Sequence, residues 1–258
     1  MNKQTFLITG ASDGIGAVYA ARLARRGHDL ILVARRADKL AALADQLRSE
    51  TGVSVDVIAA DLANPDDLAR VEARLRTDDA ITGLINNAGM AGETSFVEAD
   101  TAQLTTLINL NILAVTRLTA AIAPRLAAKG SGAIINIGSV TSLVPDGFTA
   151  TYPASKAYVL AFSEALQVEL GAKGVRVQAV LPGATRTPIW NEEQLASLPA
   201  EIVMDVNDMV DAALTGFDAG EVVTIPALPD MADYDTYIAA RAALRPNLSL
   251  ARPAPRYL

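Results

Sequence analysis

Short apolar runs rich in β-branched residues alternate along this chain with longer stretches rich in alanine and leucine. Most of the short runs are apolar throughout, which is typical of parallel strands that are covered on both faces. The pattern predicts strands at Thr5–Thr9, Leu30–Ala34, Ser54–Ala59, Gly83–Asn86, Ala133–Gly138, Val175–Leu181 and Glu221–Ile225. It predicts helices at Ile15–Arg26, Ala37–Glu50, Asp66–Arg76, Thr101–Ala128, Tyr152–Leu170 and Asp233–Leu244.

The regular exchange of strand and helix predicts an α/β fold. We expect a doubly wound, predominantly parallel sheet of about seven strands with helices on both faces. Crossovers in such a sheet are right-handed, and ligands bind beyond the carboxyl ends of the strands. No linker, internal repeat or low-complexity tract precedes the C-terminus, so we interpret residues 1–258 as one domain.

Two segments fall outside this pattern. Residues 184–206 lack a strong strand pattern and contain Pro188 and Pro199. We interpret them as a flap beside the ligand site, and a plain surface excursion is the alternative. The tail at 246–258 contains three prolines, and we expect it to be extended, packed on the body or on a partner subunit.

Composition narrows the class of protein. The chain has no cysteine, which excludes disulfides and thiolate chemistry, and its net charge of −7 argues against a nucleic-acid partner. The first ten residues lack the pattern of a signal peptide, and no apolar run reaches the roughly 18 residues of a membrane span. We therefore expect a cytoplasmic protein with no membrane partner. No cluster of residues has metal-ligand spacing, so we expect no metal.

A glycine-rich segment, T-G-A-S-D-G-I-G, joins the first predicted strand to the first predicted helix. Glycines permit a tight turn and let backbone N–H groups approach a phosphate, while the helix N-terminus adds a partial positive charge. Such a turn alone is weak evidence, but its place between strand and helix favours a dinucleotide pyrophosphate. The candidate contacts are Gly10, Ser12, Asp13, Gly14, Ile15 and Gly16.

The end of the second predicted strand indicates which adenine ribose is accepted. An acidic residue there would bind a 2′-hydroxyl and repel a 2′-phosphate. This chain instead has Arg35 and Arg36, two guanidiniums that can pair with a phosphate. We predict NADP(H) rather than NAD(H), with Arg35 as the principal contact. Asp13 near the same pocket argues weakly against this, and a solvated basic start of the next helix is the alternative.

Three polar residues are predicted to converge at the same edge of the sheet. Tyr152 and Lys156 are four positions apart on one helix face, and Pro153 is compatible only with the first turn of that helix. Ser139 directly follows a predicted strand. A free tyrosine titrates near about pH 10, and a fixed ammonium can lower that pKa toward neutrality. Together these groups indicate transfer of a hydride and a proton.

At this point the chain resembles a short-chain dehydrogenase/reductase of the compact, single-domain branch. The match runs in the family's order and spacing through almost three-quarters of the chain. Its residues are the glycine-rich segment from Thr9 to Gly16, Asp61 with Leu62, N-N-A-G from Asn86 to Gly89, Asn111, Ser139, Tyr152 with Lys156, Pro182 with Gly183, and Thr187.

The resemblance implies a Rossmann-like domain and a set of residue roles. It implies that Asp61 and Leu62 flank the adenine, and that Asn87, Ala88 and Gly89 lie beside the adenine ribose.

Further implied roles concern the reacting end of the cofactor. Lys156 would hold the nicotinamide ribose, and Asn111 would hold a water that relays protons to this lysine. Ser139 would orient the substrate oxygen, and Thr187 would touch the carboxamide or the pyrophosphate. Asn109 competes for the role of Asn111, which fits the family register better.

The resulting functional hypothesis is an NADPH-dependent oxidoreductase that reduces a ketone or aldehyde, or catalyses the reverse, with Tyr152 as general acid/base. The alternatives are an isomerase or epimerase on the same fold and a non-catalytic, cofactor-sensing regulatory protein.

Many relatives end in a glycine-rich strand that packs a tetramer interface, whereas this chain has E-V-V-T-I-P from Glu221 to Pro226. This departure favours a homodimer over a tetramer, and the C-terminal pattern resembles a subgroup of bacterial reductases with mostly unassigned substrates.

Several residues are candidates for substrate specificity. Trp190 would roof the substrate or anchor the flap, and Val140, Phe148 and Met90 would line an apolar pocket, although such residues are more often plain packing. His28, the single histidine, lies in a turn before the second strand, and we expect it to be on the surface, far from the chemistry.

Overall fold

The computed structural model describes residues 3–92, 95–146, 149–190 and 192–258. Its centre is a sheet of seven strands in the order β3-β2-β1-β4-β5-β6-β7, and every neighbouring pair is parallel. The strands are β1 (Thr5–Thr9), β2 (Asp29–Ala34), β3 (Val55–Ala59), β4 (Ile81–Asn86), β5 (Gly132–Ile137), β6 (Val175–Val180) and β7 (Val223–Thr224). The predicted doubly wound α/β fold is confirmed, with strand bounds that differ from the prediction by at most two residues.

Helices connect the strands and follow the last one. They are α1 (Gly14–Arg25), α2 (Ala37–Thr51), α3 (Pro65–Thr77), α4 (Thr101–Ile108), α5 (Val115–Lys129), α6 (Thr151–Gly171), α7 (Glu192–Ser197), α8 (Val206–Ala219) and α9 (Ala232–Ala243). The single helix predicted at Thr101–Ala128 is interrupted by a π-helical turn at Asn109–Ala114. We did not predict α7 or α8.

Two buried apolar clusters cover the two faces of the sheet. One contains residues of α1, α2 and α8, including Tyr19, Leu40 and Phe217. The other contains residues of α3, α5 and α6, including Leu75 and Leu118. Six of the strands are mostly buried on both sides between these clusters, which explains why their sequences are largely apolar throughout. The edge strand β3 differs, since Asp56, Val57 and Ala59 in it are exposed.

The chain divides into two compact units, Met1–Pro226 and Ala227–Leu258. The first unit contains the whole sheet and the candidate site residues. The second contains α9 and two short 3₁₀ turns, at Arg245–Asn247 and Pro255–Tyr257, within or beside the segment predicted to be an extended tail.

The continuous helical run Thr101–Lys129 is long and apolar enough, by length and composition, to cross a membrane. This differs from our expectation that no segment would reach that length. Ala114, Leu118, Ile122 and Leu126 on this run are buried in the second apolar cluster. Its apolar character therefore has a structural cause, since one side of the helix forms part of the core.

The expectation that His28 is on the surface was wrong. Its side chain is 4% exposed, and its Nδ1 accepts a hydrogen bond from the backbone N–H of Gln4 at 3.2 Å. Its ring lies 5.4 Å from that of Phe6, and burial lowers the pKa of the imidazole. The turn before β2 folds beneath the N-terminal ends of β1 and β2, the edge opposite to the predicted site.

Candidate active site

The polar candidates lie where β1, β4, β5 and β6 end, which we call the carboxyl edge of the sheet. Parallel strands end at a common edge, so residues distant in sequence are brought together there. β5 leads through Gly138 to Ser139, and the N–H of Gly138 donates to the carbonyl of Val180 in β6 at 2.7 Å. The N–H of Val140 donates to the carbonyl of Pro182 at 3.0 Å. These two bonds hold the segments that follow β5 and β6 against each other.

The glycine-rich segment forms a tight turn between β1 and α1. Gly10 and Gly14 have φ values of 65° and 50°, in the left-handed region that favours glycine. A Cβ on Gly16 would collide with the carbonyl oxygen of Gly10 and lie 2.6 Å from the side-chain nitrogen of Asn87. Ser12, Asp13 and Ile15 lie in the same turn, which is closed enough that only glycine fits at position 16.

Asp13 is the N-cap of α1, because its carboxylate accepts from the N–H of Gly14 at 2.8 Å. The first turn of any helix leaves N–H groups without helical partners, and these can meet a phosphate. The glycine-rich turn is therefore suited to a dinucleotide pyrophosphate. Its backbone can approach a phosphate closely, and the N-terminus of α1 offers N–H donors to it.

Asn87 fastens the end of β4 to this turn. Its Nδ2 donates to the carbonyls of Thr9 and Gly10, at 2.9 and 3.2 Å. In return, the Thr9 hydroxyl accepts from the N–H groups of Asn87 and Ala88 at 2.9 and 3.0 Å. The side-chain nitrogen of Asn87 is thus bonded within the protein and joins the end of β4 to the glycine-rich turn.

A cluster of basic residues lies at the end of β2. Arg36 donates to the hydroxyl of Ser12 at 3.0 Å and to the carboxylate of Asp13 at 3.1 Å. Lys39, which we did not consider from the sequence, also pairs with Asp13 at 3.1 Å. Arg35 is exposed, and no hydrogen bond or ion pair of its side chain to another described residue is found. Its guanidinium is the one in this cluster not already committed to Asp13.

The charge of Asp13 is compensated within this cluster. Burial raises the pKa of its carboxyl, but hydrogen bonds from Lys39 and Gly14 and the charges of Lys39 and Arg36 outweigh burial and lower it. The carboxylate that argued weakly against a 2′-phosphate is therefore paired with two cations. The signal that could have identified Lys39 is its position in the first turn of α2, three residues after Arg36.

Tyr152 lies in the first turn of α6, with Pro153 beside it, as predicted. Lys156 lies one turn further along, with its Nζ 5.7 Å from the centre of the Tyr152 ring. The same Nζ donates to the carbonyl of Ile137 at the end of β5, at 3.0 Å. The Ser139 hydroxyl accepts from the N–H of Thr141 at 3.2 Å. The three predicted side chains therefore meet at the carboxyl edge.

Burial dominates the electrostatics of this group in the protein alone. It raises the pKa of the Tyr152 phenol, although a hydrogen bond with Ser139 acts in the opposite direction. It lowers the pKa of the Lys156 ammonium to about 8. The net lowering of the tyrosine pKa that we expected is not seen, because burial is the largest influence on the phenol and raises its pKa.

Asn111 lies in the π-helical turn and is 1% exposed. Its Nδ2 donates to the carbonyl of Met90 at 2.9 Å and to the Ser155 hydroxyl at 3.0 Å, while its Oδ1 accepts from the N–H of Met90 at 3.0 Å. A Cβ on Gly89 would lie 3.3 Å from this Oδ1 and 3.6 Å from Nζ of Lys156. Of the two asparagines considered, Asn111 is the one held next to Lys156.

The remaining candidates take varied positions. Asp61 accepts from the N–H of Ala63 at 3.0 Å and so caps its own turn, while Leu62 is buried in the core below it. The side chain of Thr187 packs against Gly14. A Cβ added to Gly14 would lie 3.3 Å from the side-chain carbons of Thr187. This contact brings the start of the predicted flap to the glycine-rich turn.

The predicted flap is anchored at its base. The backbone of Met204 bonds to Ala184 and Arg186, and the hydroxyl of Thr185 donates to the carbonyl of Gly183 at 3.1 Å. A Cβ on Gly183 would meet nothing within 4 Å, so there is open space beside it.

Four residues were predicted to surround the substrate. Met90, Val140 and Trp190 are partly buried near the carboxyl edge, and Met90 lines a cavity there. Phe148 lies outside the described residues.

Comparison with known proteins agrees with this architecture. The chain has 52% identity to a short-chain dehydrogenase from Sphingobium yanoikuyae, solved in complex with NADPH, with a TM-score of 0.95 over 98% of this chain and 100% of that one. It has 50% identity, with a TM-score of 0.93 over the full length of both chains, to a bulky-bulky ketone specific alcohol dehydrogenase from Comamonas testosteroni.

Curated relatives are more distant and longer. Human 17-beta-hydroxysteroid dehydrogenase type 3 is 38% identical over 187 residues, 71% of this chain and 60% of that protein. A very-long-chain 3-oxoacyl-CoA reductase from Lodderomyces elongisporus is 38% identical over 185 residues, 68% of this chain and 53% of that protein. The chain thus spans little more than half the length of these relatives.

The sequence profile of the short chain dehydrogenase family matches residues 4–197. This region includes the glycine-rich turn, the basic cluster and the three polar side chains that meet at the carboxyl edge. The chain belongs to the short-chain dehydrogenase/reductase family.

Proposed function

We propose that this protein is an NADP(H)-dependent oxidoreductase that reduces a ketone or aldehyde to an alcohol, or catalyses the reverse reaction. The observation that carries the proposal is the meeting of Ser139, Tyr152 and Lys156 at the carboxyl edge, next to a turn shaped for a dinucleotide. A bound reduced nicotinamide would supply the hydride. The solved relative that holds NADPH supports the choice of cofactor.

Ser139 and Tyr152 act on the substrate oxygen. The Ser139 oxygen accepts a hydrogen bond from Thr141, and its hydroxyl is hydrogen-bonded to the Tyr152 phenol, so both hydroxyls lie where one carbonyl oxygen can reach them. Tyr152 donates its proton to the same oxygen as negative charge develops there. The raised pKa of the phenol keeps it protonated at neutral pH, which is the form that carbonyl reduction requires.

Lys156 and Asn111 position the reacting groups. An ammonium has three donors, and one of those on Lys156 is used by Ile137, so two remain for the nicotinamide ribose. Asn111 holds the chain at Met90 against α6 through Ser155 and so fixes the floor beside Lys156. We propose that Asn111 acts as the inner end of a proton path through a bound water.

The basic cluster at the end of β2 distinguishes the two cofactors. Arg36 and Lys39 neutralise Asp13, and Arg35 is left to pair with a 2′-phosphate. Backbone groups of Ala88, Gly89, Pro182 and Gly183 and the side chain of Thr187 would complete the cofactor site. Asp61 and Leu62 would border the adenine.

The decisive experiment follows NADPH absorbance with a panel of ketones, aldehydes and diketones. We expect oxidation by the native protein and a loss of at least about 10³-fold in kcat for Tyr152→Phe, which removes the proton but keeps the ring. NADPH binding by both proteins, measured by cofactor fluorescence, shows that the variant is folded. Tight NADPH binding by the native protein with no turnover across the panel would favour the cofactor-sensing alternative.

We further propose a cytoplasmic homodimer. The support for the dimer is the C-terminal sequence, which replaces the glycine-rich last strand with E-V-V-T-I-P and a prolyl tail. Light scattering of the purified protein should give a mass about twice that of the 27.0 kDa chain, whereas four times that mass would indicate the tetramer.

A further inference from the structure

A cavity of about 260 Å³ lies between the segment that follows β4 and the start of α6. Its walls are mostly apolar and include Met90, Ala99, Leu104 and Leu107, while Gln103, Thr149 and Thr151 are its polar members. None of the described residues that line it carries a charge. Met90 was predicted to line an apolar pocket for the substrate, and the other residues named here have no role so far.

The cavity begins next to the reacting groups. Met90 forms one wall, and its neighbour Gly89 is the residue whose Cβ would lie 3.6 Å from Nζ of Lys156. Thr151 forms another wall and immediately precedes Tyr152. A carbonyl group placed beside the Tyr152 hydroxyl would therefore direct one of its two substituents toward this space.

The size and chemistry of the cavity indicate what that substituent is. A cavity of about 150 Å³ lined by apolar side chains can bind benzene. The volume here, about 260 Å³, accommodates a six-membered ring with a small further group. A carboxylate or phosphate would lose its hydration without meeting a cation among the described lining residues, so these walls select against such groups.

We propose that this cavity binds an apolar, ring-sized substituent of the carbonyl substrate, such as an aryl or cycloalkyl group. This inference rests on the proposed function, since it specifies the class of carbonyl compound that the site reduces. It also assigns the specificity to particular residues, among which Ala99 and Leu104 set the free volume.

Cavity shape is tested by a matched pair of substitutions. Ala99→Leu adds bulk at a lining position, whereas Ala102→Leu makes the same change at an exposed position in the first turn of α4. Initial rates with saturating NADPH are compared for acetophenone, cyclohexyl methyl ketone and 2-butanone. We expect kcat/KM of the native protein to favour each ring ketone over 2-butanone by at least about tenfold.

Ala99→Leu should lower this ratio by at least about tenfold, and Ala102→Leu should leave it within about twofold. Leu104→Ala provides an independent variant, because it enlarges the cavity. It should raise the ratio of 2-acetonaphthone to acetophenone by several-fold. Equal ratios in the native protein and both lining variants, all folded by circular dichroism, would overturn the inference.

A binding measurement separates failure of the cavity from failure of the proposed function. Saturation-transfer NMR on the NADPH complex should show ring protons of cyclohexyl methyl ketone in contact with the native protein and with Ala102→Leu. The signal should be lost with Ala99→Leu. If no ketone is reduced, the proposed function fails. Ring contacts in the native protein and Ala102→Leu that are lost in Ala99→Leu would still support binding of the ring in the cavity. Equal signals in all three proteins would contradict it.

Discussion

Lys156 is a charged side chain in a site that excludes most water. It is 7% exposed, and burial lowers the pKa of its ammonium from 10.5 to about 8. Below pH 8 the ammonium is charged in both the folded and the unfolded chain, so the folded protein bears the full cost of burying it. Between pH 8 and 10.5 the unfolded chain binds more protons than the folded one, so this cost disappears as pH rises.

Lys156→Met should therefore stabilise the cofactor-free protein at pH 7 while abolishing activity. The pKa shift corresponds to about 3 kcal/mol, from which loss of the hydrogen bond to Ile137 subtracts about 1 kcal/mol. We expect a net gain of about 2 kcal/mol in the free energy of unfolding. Urea unfolding at pH 7 and pH 9.5 should show this gain at pH 7 and a smaller one at pH 9.5. A variant that is less stable than the native protein at pH 7 would refute this account.

Arg35 is the residue on which the cofactor preference depends. Arg35→Asp removes a cation without changing the Asp13 pairs and introduces a carboxylate that repels a 2′-phosphate. We expect the ratio of NADPH to NADH affinity to fall by at least about tenfold. Arg25→Asp, the same charge change at an exposed position in the last turn of α1, is the control. If both variants keep the native ratio in fluorescence titrations, the phosphate contact is assigned to the wrong residue.

At the scale of elements, the sequence determined the sheet well and the helices less well. Most strands were recognisable because they are buried on both faces and therefore form short, continuous apolar runs, whereas the edge strand β3 is largely exposed. The helix α8 carries a sufficient signal that we did not use: an N-cap at Asp205 and a buried face that includes Met209, Ala213 and Phe217. The π-helical turn could not be predicted, because the periodicity of apolar residues continues through it.

The π-helical turn has an identifiable partner. Asn111 within it makes three hydrogen bonds that join the segment after β4 to α6. This arrangement depends on groups more than twenty residues apart in sequence, which a local pattern does not encode. A turn of this kind at a functional position is consistent with the general placement of π-bulges.

Asn111→Ala should destabilise the protein much more than Asn109→Ala. The first change removes hydrogen-bond partners from the N–H and the carbonyl of the partly buried Met90 and from the buried hydroxyl of Ser155, which costs about 2–3 kcal/mol. Asn109 lies in the same turn, is only half-buried, and makes no side-chain hydrogen bond to another described residue. Its replacement should cost less than about 1 kcal/mol. Urea unfolding measures both, and equal losses would show that the bonds of Asn111 do not hold the turn.

At the scale of the whole molecule, topology explains why the candidate site could be predicted. The ends of β1, β4, β5 and β6 must share one edge in a doubly wound sheet, so motifs that follow those strands meet whatever the helices do. The pairing of Arg36 and Lys39 with Asp13 could not be predicted, because it depends on the distance between two turns. In the sequence, the acidic Asp13 argued against a 2′-phosphate and the basic residues argued for one. In the fold, Asp13 is paired with Arg36 and Lys39, so these charges neutralise each other.

The molecule as a whole is acidic, with a net charge of −7, yet it is proposed to bind a cofactor with an extra phosphate. Charges farther from the site than the Debye length, about 10 Å at 0.1 M salt, contribute little, so the basic cluster dominates locally. Raising NaCl from about 0.05 M to about 0.5 M shortens the Debye length and weakens the attraction of this cluster for the 2′-phosphate.

We therefore expect the Kd of NADPH to rise by about five- to tenfold over this range of salt, and that of NADH by less than about threefold. The difference between the two slopes isolates the 2′-phosphate, because all other contacts of the cofactors are the same. Arg35→Asp should remove the difference, since it cancels the local attraction. Parallel slopes in the native protein would mean that the −7 charge of the chain, rather than the basic cluster, governs how salt acts on binding.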